Sequence, residues 1–253
     1  MPRRFYAPPE AFNFDSTVIT LQTDEARHLR EVLRLKAGDE VHVFNGAGKE
    51  FRCEIAESRR DSAQLKVLGE VAAARPESPL ALMLAVALLK SDKFDLVVQK
   101  ATELGVVRIV PVMTHLADIR LRDESDAGKR VARWQRIAME AAKQSGRALV
   151  PEVVAPVTFA SLVKEGGTPG QHRVMFSERD GQPLEDLMTH ESADTSNLMT
   201  ALVGSEGGWT DDELESARTA GWTIVTLGGR VMRAETAAIT VTALLQHRFG
   251  DLK

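Results

Sequence analysis

The chain has 253 residues, of which 43% are hydrophobic and 27% charged, the make-up of a folded globular protein and not of a disordered one. Its formal net charge of −4 argues against indiscriminate binding to nucleic acid, which needs clustered lysine and arginine to neutralise phosphates. One cysteine, Cys53, excludes an intrachain disulfide framework and suits a reducing compartment.

The opening Met-Pro-Arg-Arg leads into mixed polar sequence, unlike a targeting peptide. The longest apolar run, Leu80 to Leu89, is about half of what a membrane span requires. The expectation is a cytoplasmic protein with no membrane association.

Residues 1–73 read as a β-rich domain with one helix. Thr23 is placed to cap a helix over Asp24 to Leu35, with Ala26, Leu29, Val32 and Leu33 on one face and Arg27, Arg30 and Arg34 elsewhere. Glu40–Phe44, Glu50–Ala56 and Ala63–Leu68 alternate polar with apolar residues, as half-exposed antiparallel strands do. Asn45-Gly46 marks a hairpin turn between the first two. Phe5, Tyr6, Phe12, Phe14, Phe44 and Phe51 concentrate here, either as the core of a small domain or as platforms for bases.

Residues 74–79, with two prolines and no apolar pattern, read as a linker. From residue 80 onward the texture changes. Leu80–Leu89 is apolar without alternation, as in a strand buried on both faces. A helix from about Asp92 to Leu104, a strand over Val106–Val112 that Pro111 ends or places at an edge, and a long helix over Asp126–Ser145 follow. Then come a helix at Phe159–Glu165, a strand at Arg173–Phe176, a helix at Leu184–Met188, a strand at Leu198–Val203, a helix at Thr210–Ala220, a strand at Thr223–Leu227 and a last helix to Phe249. Alternation of this kind predicts an α/β domain over 80–253 with a parallel sheet and helices on both faces. Its ligands belong at the carboxyl ends of the strands.

Two loops at such ends are glycine-rich: Gly204-Ser-Glu-Gly-Gly208, and Leu227-Gly-Gly-Arg-Val-Met-Arg-Ala-Glu-Thr-Ala-Ala238, which runs into the last helix. Glycines there admit a ligand close to the main chain, and a helix start leaves N–H groups without partners. Neither loop has the spacing of a nucleoside-triphosphate or dinucleotide fingerprint. Thr210 and Glu213 form a capping box, so Gly207-Gly208 also fits a plain helix lead-in. Six scattered histidines and no cysteine pair give no metal set.

Taken together, the two loops resemble those of the bacterial 16S rRNA (uracil-N3) methyltransferase family, of the SPOUT (trefoil-knotted) class. The likeness extends to His28-Leu-Arg-Glu-Val-Leu-Arg34, Gln99-Lys-Ala-Thr-Glu-Leu-Gly105 and Glu140-Ala-Ala-Lys-Gln-Ser-Gly-Arg147. Ser205 stands where the family usually has proline, and Met232 and Ala234 where it has leucine and threonine.

The resemblance implies a PUA-like RNA-binding β-barrel followed by a SPOUT-type knotted α/β domain, working as a homodimer. Its substrate would be 16S rRNA, free or within the assembled small subunit. Its cofactor would be S-adenosyl-L-methionine, held by Leu202, Gly204, Glu206, Gly207, Gly208, Leu227, Gly228, Val231, Met232, Arg233, Thr236 and Ala237. Because uridine N3 must lose a proton before it attacks a methyl group, a cation and a base are needed. Arg233 is the candidate cation, with Glu235 or Glu206 as the base; an Arg-Glu pair that merely pins the loop is the structural alternative. RNA contacts are expected from Arg3, Arg4, Arg27, Arg30, Arg34, Lys90, Lys93, Lys100, Gln144 and Arg147. Two other readings stay open at this point: a non-catalytic RNA-binding assembly factor, and a methyltransferase acting on another rRNA or tRNA nucleotide.

Overall fold

The computed structural model describes residues 3–13, 15–90, 92–119, 121–165, 167–188 and 197–253; Phe14, singled out above, lies outside the described residues. The chain divides into two compact units, one made of 1–77 with 139–150, the other of 78–138 with 151–253. The division at 77/78 falls inside the expected linker. That a segment from the middle of the chain joins the first unit is not visible in composition.

In the first unit, β1 (Arg4–Tyr6), β2 (Val18–Gln22), α1 (Thr23–Arg27), β3 (Glu40–Phe44), β4 (Glu50–Ser58) and β5 (Ser62–Val71) build a five-stranded sheet in the order β1-β3-β4-β5-β2. β1 and β3 run parallel and the other pairs antiparallel. β4 carries register shifts at Arg52/Cys53 and Ile55/Glu57, and such irregularities bend and twist a strand, curling the sheet. The expected hairpin turn is present, with the Asn45 side-chain oxygen accepting from the Ala47 and Lys49 amides.

The expected helix differs from what the structure shows. Thr23 does not cap it; α1 begins at Thr23 and passes at His28 into a wider π-helical turn through Val32. Within that turn Leu29 is buried and Val32 is 65% exposed, although 3.6-residue spacing puts Val32 inside. Phe5, Ile19, Leu29, Val41, Val43, Ile55 and Leu65 make the core. Phe5 and Phe44 are fully buried, so these two aromatics fill the interior and do not stack on bases. Burial pushes the Cys53 thiol up to about 12, which makes it unreactive.

Glu50 is the electrostatic centre of this unit. Its carboxylate is completely buried, accepts from the Arg4 guanidinium at 3.2 and 3.0 Å and from the Ala74 amide at 3.0 Å, and lies 2.9 Å from His42 Nδ1. Arg4 also donates to the Lys143 and Arg147 carbonyls, and the Arg147 guanidinium meets Glu77 at 2.6 Å. Segment 139–150 is thus joined to the small sheet by charge-assisted bonds.

The second unit contains β6 (Ala81–Ala87), α2 (Lys93–Glu103), β7 (Arg108–Met113), α3 (Glu124–Ser145, whose last turns belong to the first unit), β8 (Glu152–Val153), β9 (Val157–Thr158), α4 (Phe159–Lys164), β10 (His172–Phe176), β11 (Leu198–Val203), α5 (Asp211–Thr219), β12 (Thr223–Val225) and α6 (Ala234–Phe249). The predicted helix at 184–188 is a 3-10 turn over Asp186–Met188. The sheet has seven strands in the order β12-β10-β11-β6-β7-β8, with β9 also on β7, and every pairing is parallel.

Pro111 is inside β7, not at its end. Ile109 accepts from Val154 on the flank held by β8, and Val112 accepts from Leu88 on the β6 side. By the same alternation Pro111 faces the flank where pairing passes from β8 to β9, so its missing N–H leaves no ladder bond unmade there. One face of the sheet packs Ala85, Val110, Met175, Leu202 and Ile224 against Phe159 and Leu162 of α4, Trp209, and Leu214 of α5; α2 and α6 pack together, and α6 also lies on β11.

Removing one member of a buried ion pair strands the other charge, at a cost of about 3–5 kcal/mol. Glu50→Ala is therefore expected to destabilise the first unit by about 3 kcal/mol, seen as lost amide hydrogen-exchange protection in β3 and β4. All three tryptophans, Trp134, Trp209 and Trp222, lie in the second unit, so the tryptophan fluorescence transition should stay in place. Burial opposes the Glu50 charge, but the bonds from Arg4, Ala74 and His42 outweigh it and hold its pKa below the ordinary 4.5. Its contribution is therefore complete above that value and lost as the pH falls through the lower folded one. Protection in β3 and β4 should be flat at neutral pH and decline only in acid below about pH 4.5.

Candidate active site

β12, β10 and β11 are neighbours, and their carboxyl ends release three loops, at 226–233, 177–182 and 204–210. With the start of α6, these loops enclose a cavity of about 270 Å³ whose apolar walls include Phe176, Val203, Leu227, Met232 and Val241. Leu227, Gly228, Val231, Met232 and Ala237, and Gly204, Glu206, Gly207 and Gly208 line it as the glycine loops suggested. Leu202 does not line it; it faces the core on the other side of the sheet. Arg233 and Thr236 are exposed and stand outside the lining. Val231, expected as an apolar wall, is 88% exposed on the open side of its loop.

The loop after β10 escaped the sequence reading, although Ser177-Glu-Arg-Asp-Gly181 is a polar glycine-ended run at a strand terminus. It is tied to both neighbours. The Gly181 amide donates to Thr226 Oγ1 at 3.1 Å and the Thr226 amide to the Gln182 carbonyl at 2.9 Å. Arg179 donates to the Trp209 carbonyl at 3.1 Å and pairs with Asp211 at 2.7 Å, reaching the head of α5. Gly181 has no room for a side chain, because a Cβ would lie 2.6 Å from the Thr226 nitrogen. The Gly204–Gly208 loop closes through a Gly208 amide bond to the Ser205 carbonyl at 3.0 Å, with Gly208 at φ +68, a conformation glycine adopts without penalty. The Thr210–Glu213 capping box is present as well, so this segment both starts a helix and walls a cavity.

The polar groups are few and specific. Ser205 is buried in the lining and its hydroxyl has no hydrogen-bond partner. The Glu178 carboxylate lies over the Gly208 backbone, 2.8 Å from where a Cβ would sit. At the edge of the site, Lys93 Nζ is 2.7 Å from Glu206 Oε1 and 3.7 Å from Glu235 Oε2. The Lys93 hydrogen bond holds the Glu206 carboxyl below its usual range, and the same bond raises the Lys93 ammonium. Glu235 Oε2 is buried and accepts no hydrogen bond. The loop-pinning pair is therefore Lys93 with the two glutamates, and not Arg233; Arg233 precedes α6 without capping it through its side chain.

The residues expected to face RNA separate into distinct groups. Arg4 and Arg147 are buried in the ion cluster of the first unit, and a guanidinium enclosed there does not reach a phosphate. Arg27 and Arg30 share Glu31, while Arg3, Arg34 and Gln144 are exposed. Lys90 pairs with Asp118 and Lys100 with Glu103. Among the described residues there is no cluster of metal-ligating side chains, and no helix long and apolar enough to cross a membrane.

Residues 76–246 match the RNA methyltransferase domain, and residues 21–68 match the RNA methyltransferase PUA domain. The chain belongs to the RNA methyltransferase family. It is 33% identical over 243 residues to the ribosomal RNA small subunit methyltransferase E of Synechocystis, covering 96% of this chain and 77% of that protein. With the protein of the same name from Rickettsia conorii it shares 31% over 232 residues, 90% and 89% of the two chains. Among solved structures it is similar to the ribosomal RNA small subunit methyltransferase E of Neisseria gonorrhoeae bound to S-adenosyl methionine, with a TM-score of 0.86, 33% identity and full coverage of both chains. A methyltransferase from Legionella pneumophila in complex with the same cofactor superposes with a TM-score of 0.85 at 29% identity, over 99% of each chain.

In this methyltransferase the cavity depends on the close approach at Gly181. Gly181→Ala forces the 177–182 loop away from Thr226, and overpacking of this kind costs about 1–3 kcal/mol. The tryptophan fluorescence midpoint of the second unit should drop accordingly in denaturant, while exchange protection in β3 and β4 stays unchanged.

Proposed function

We propose that this protein transfers a methyl group from S-adenosylmethionine to N3 of a specific uridine in 16S rRNA. The observation that carries the reading is the convergence of three loops and the start of α6 on one cavity, with Glu235 Oε2, a buried oxygen that accepts no hydrogen bond and lies 3.7 Å from Lys93 Nζ, in that first turn of α6. The residues present fit the cofactor. Val203, Leu227, Met232 and Val241 offer apolar walls to a purine, the buried Ser205 hydroxyl lacks a partner, and Glu178 supplies a negative group for an ammonium. When bound, S-adenosylmethionine supplies a methyl group on a positively charged sulfur, which leaves as a neutral thioether.

Everything else falls to the protein. Uridine N3 is protonated at neutral pH and is not a nucleophile until the proton is removed. Of the two candidate bases, Glu206 is held ionised by Lys93 and so has a weakened hold on a proton. Glu235 Oε2 accepts no hydrogen bond and is only in ion-pair range of Lys93, at 3.7 Å, and takes the role. Arg233, two residues earlier and exposed, supplies positive charge towards the pyrimidine as its negative charge develops. Arg3, Arg27, Arg30 and Arg34 of the PUA-like unit and Gln144 position the RNA by backbone contact, with residues 1–73 as the RNA-binding domain and 80–253 as the knotted catalytic domain. The protein works as a cytoplasmic homodimer on rRNA of the small subunit.

Arg233→Ala is expected to lower the methylation rate by about 100-fold, the scale seen when a charge-stabilising donor is removed, while calorimetry gives an S-adenosylmethionine affinity within about threefold of the parent. Equal losses in both would make Arg233 a scaffold residue. The reading as a whole is tested by methylating rRNA from cells lacking this gene and mapping the product by mass spectrometry. Product at any atom other than uridine N3, or no saturable heat with the cofactor, rejects it.

A further inference from the structure

Lys93 begins α2, far in sequence from either glycine loop, yet its ammonium joins a carboxylate from each: Glu206 at 2.7 Å and Glu235 at 3.7 Å. A lysine that only pinned two loops would be saturated by them. Here only Glu206 is in hydrogen-bonding range, and the buried Glu235 Oε2, though in ion-pair range of Lys93, accepts no hydrogen bond. A buried acceptor left without a hydrogen bond costs about 1–3 kcal/mol, so its persistence one residue from Ala234, which lines the cavity, points to a donor that arrives with the substrate. Arg233 lies two residues before Glu235, close enough for its charge to oppose that of Lys93.

Lys93 and Glu235 therefore present a cation beside a carboxylate. The Watson–Crick edge of uracil presents the complement, N3–H flanked by carbonyl oxygens. Cytosine lacks the N3 proton and replaces one carbonyl with an amino group, so it would set an acceptor against the carboxylate and a donor against a cation. Mismatches of this kind leave buried polar groups unpaired and discriminate strongly.

We propose that Lys93 and Glu235 read the imide edge of the target pyrimidine as a pair, Glu235 Oε2 accepting the N3 proton and Lys93 donating to the adjacent carbonyl oxygen. This rests on the uridine-N3 reading above. In the step, the N3–H bond breaks, the proton goes to Glu235 Oε2, and the electron pair stays on the ring, shared between N3 and the two flanking oxygens. Lys93 faces the oxygen that gains charge, and Glu206 holds Lys93 in place. Lys93 is thus a catalytic and specificity-determining residue and not a phosphate contact.

The test compares the parent with Lys93→Met, Lys93→Arg and Glu235→Gln on 16S rRNA carrying uridine or cytidine at the mapped position. Lys93→Met is expected to lower kcat by about 100-fold or more, with calorimetric affinity for S-adenosylmethionine and affinity for RNA both within about threefold. Lys93→Arg, which keeps the charge, should recover at least about tenfold of that loss, which a folding defect would not allow. Glu235→Gln should abolish turnover and lower the preference for binding uridine-bearing over cytidine-bearing RNA by about tenfold, since the amide turns a donor towards a bare ring nitrogen.

Three results overturn the inference. In the first, Lys93→Met retains kcat within about threefold. In the second, it weakens RNA binding uniformly and reduces the salt slope by about one, the mark of a lost phosphate contact. In the third, Glu235→Gln leaves the uridine preference intact. A parent protein that binds no S-adenosylmethionine, or that methylates another atom, defeats the underlying reading and this inference with it. An active parent with insensitive variants defeats the inference alone.

Discussion

The parallel ladder that joins β12, β10 and β11 decides where the site can be. Parallel strands emit all their loops at one edge, and because these three are adjacent, the loops at 177–182, 204–210 and 226–233 arise side by side. Their mutual bonds, Gly181 to Thr226, Gln182 to Thr226 and Arg179 to Trp209 and Asp211, then need only span short gaps. The cavity lies between these loops, walled by side chains such as Phe176, Leu227, Met232 and Val241 and by glycines where the loops approach most closely. Gly181 and Gly208 follow from that crowding.

Much of this was legible. Leu198–Val203 reads as a strand and is one, residue for residue, because a continuous apolar run bounded by glycine fits little else. The glycine loops located the cavity, since glycines that lie at strand ends, where ligands bind, do more than turn the chain. What failed was the third wall. Ser177-Glu-Arg-Asp-Gly181 carries no motif, and its role comes from standing between two loops that begin 23 and 45 residues after Gly181, at Gly204 and Thr226. The inserted segment 139–150 was equally invisible: a helix pattern says which face is apolar but not which unit that face meets. Val32 was misplaced because a π-helical turn shifts the register that the 3.6 period assumes.

Charge was the least legible property. Local clustering of arginines says nothing about whether each has an internal partner, and in the first unit Glu50 and Glu77 take Arg4 and Arg147 out of solvent. Both acids are distant in sequence from the bases they bind, so no spacing rule links them. The partners of Lys93 were hidden for the same reason. From the sequence it is one more basic residue on a solvated helix; in the fold it joins carboxylates from positions 206 and 235.

The two kinds of recognition tolerate change differently. A site made by backbone groups accepts substitution wherever the turn survives, and Ser205, standing where the family usually has proline, still closes the turn through its carbonyl to the Gly208 amide. Ala234 at the first position of α6 is buried and needs no hydroxyl, since the Ala237 amide is already bound to the Arg233 carbonyl. The charged cluster has no such latitude. Lys93, Glu206 and Glu235 come from the start of α2, the loop after β11 and the first turn of α6, so their separation is fixed by how α2 and α6 pack together. A shift of that helix pair would break the cluster and, because Ala234, Ala237 and Val241 of α6 line the cavity, would disturb the cavity walls with it.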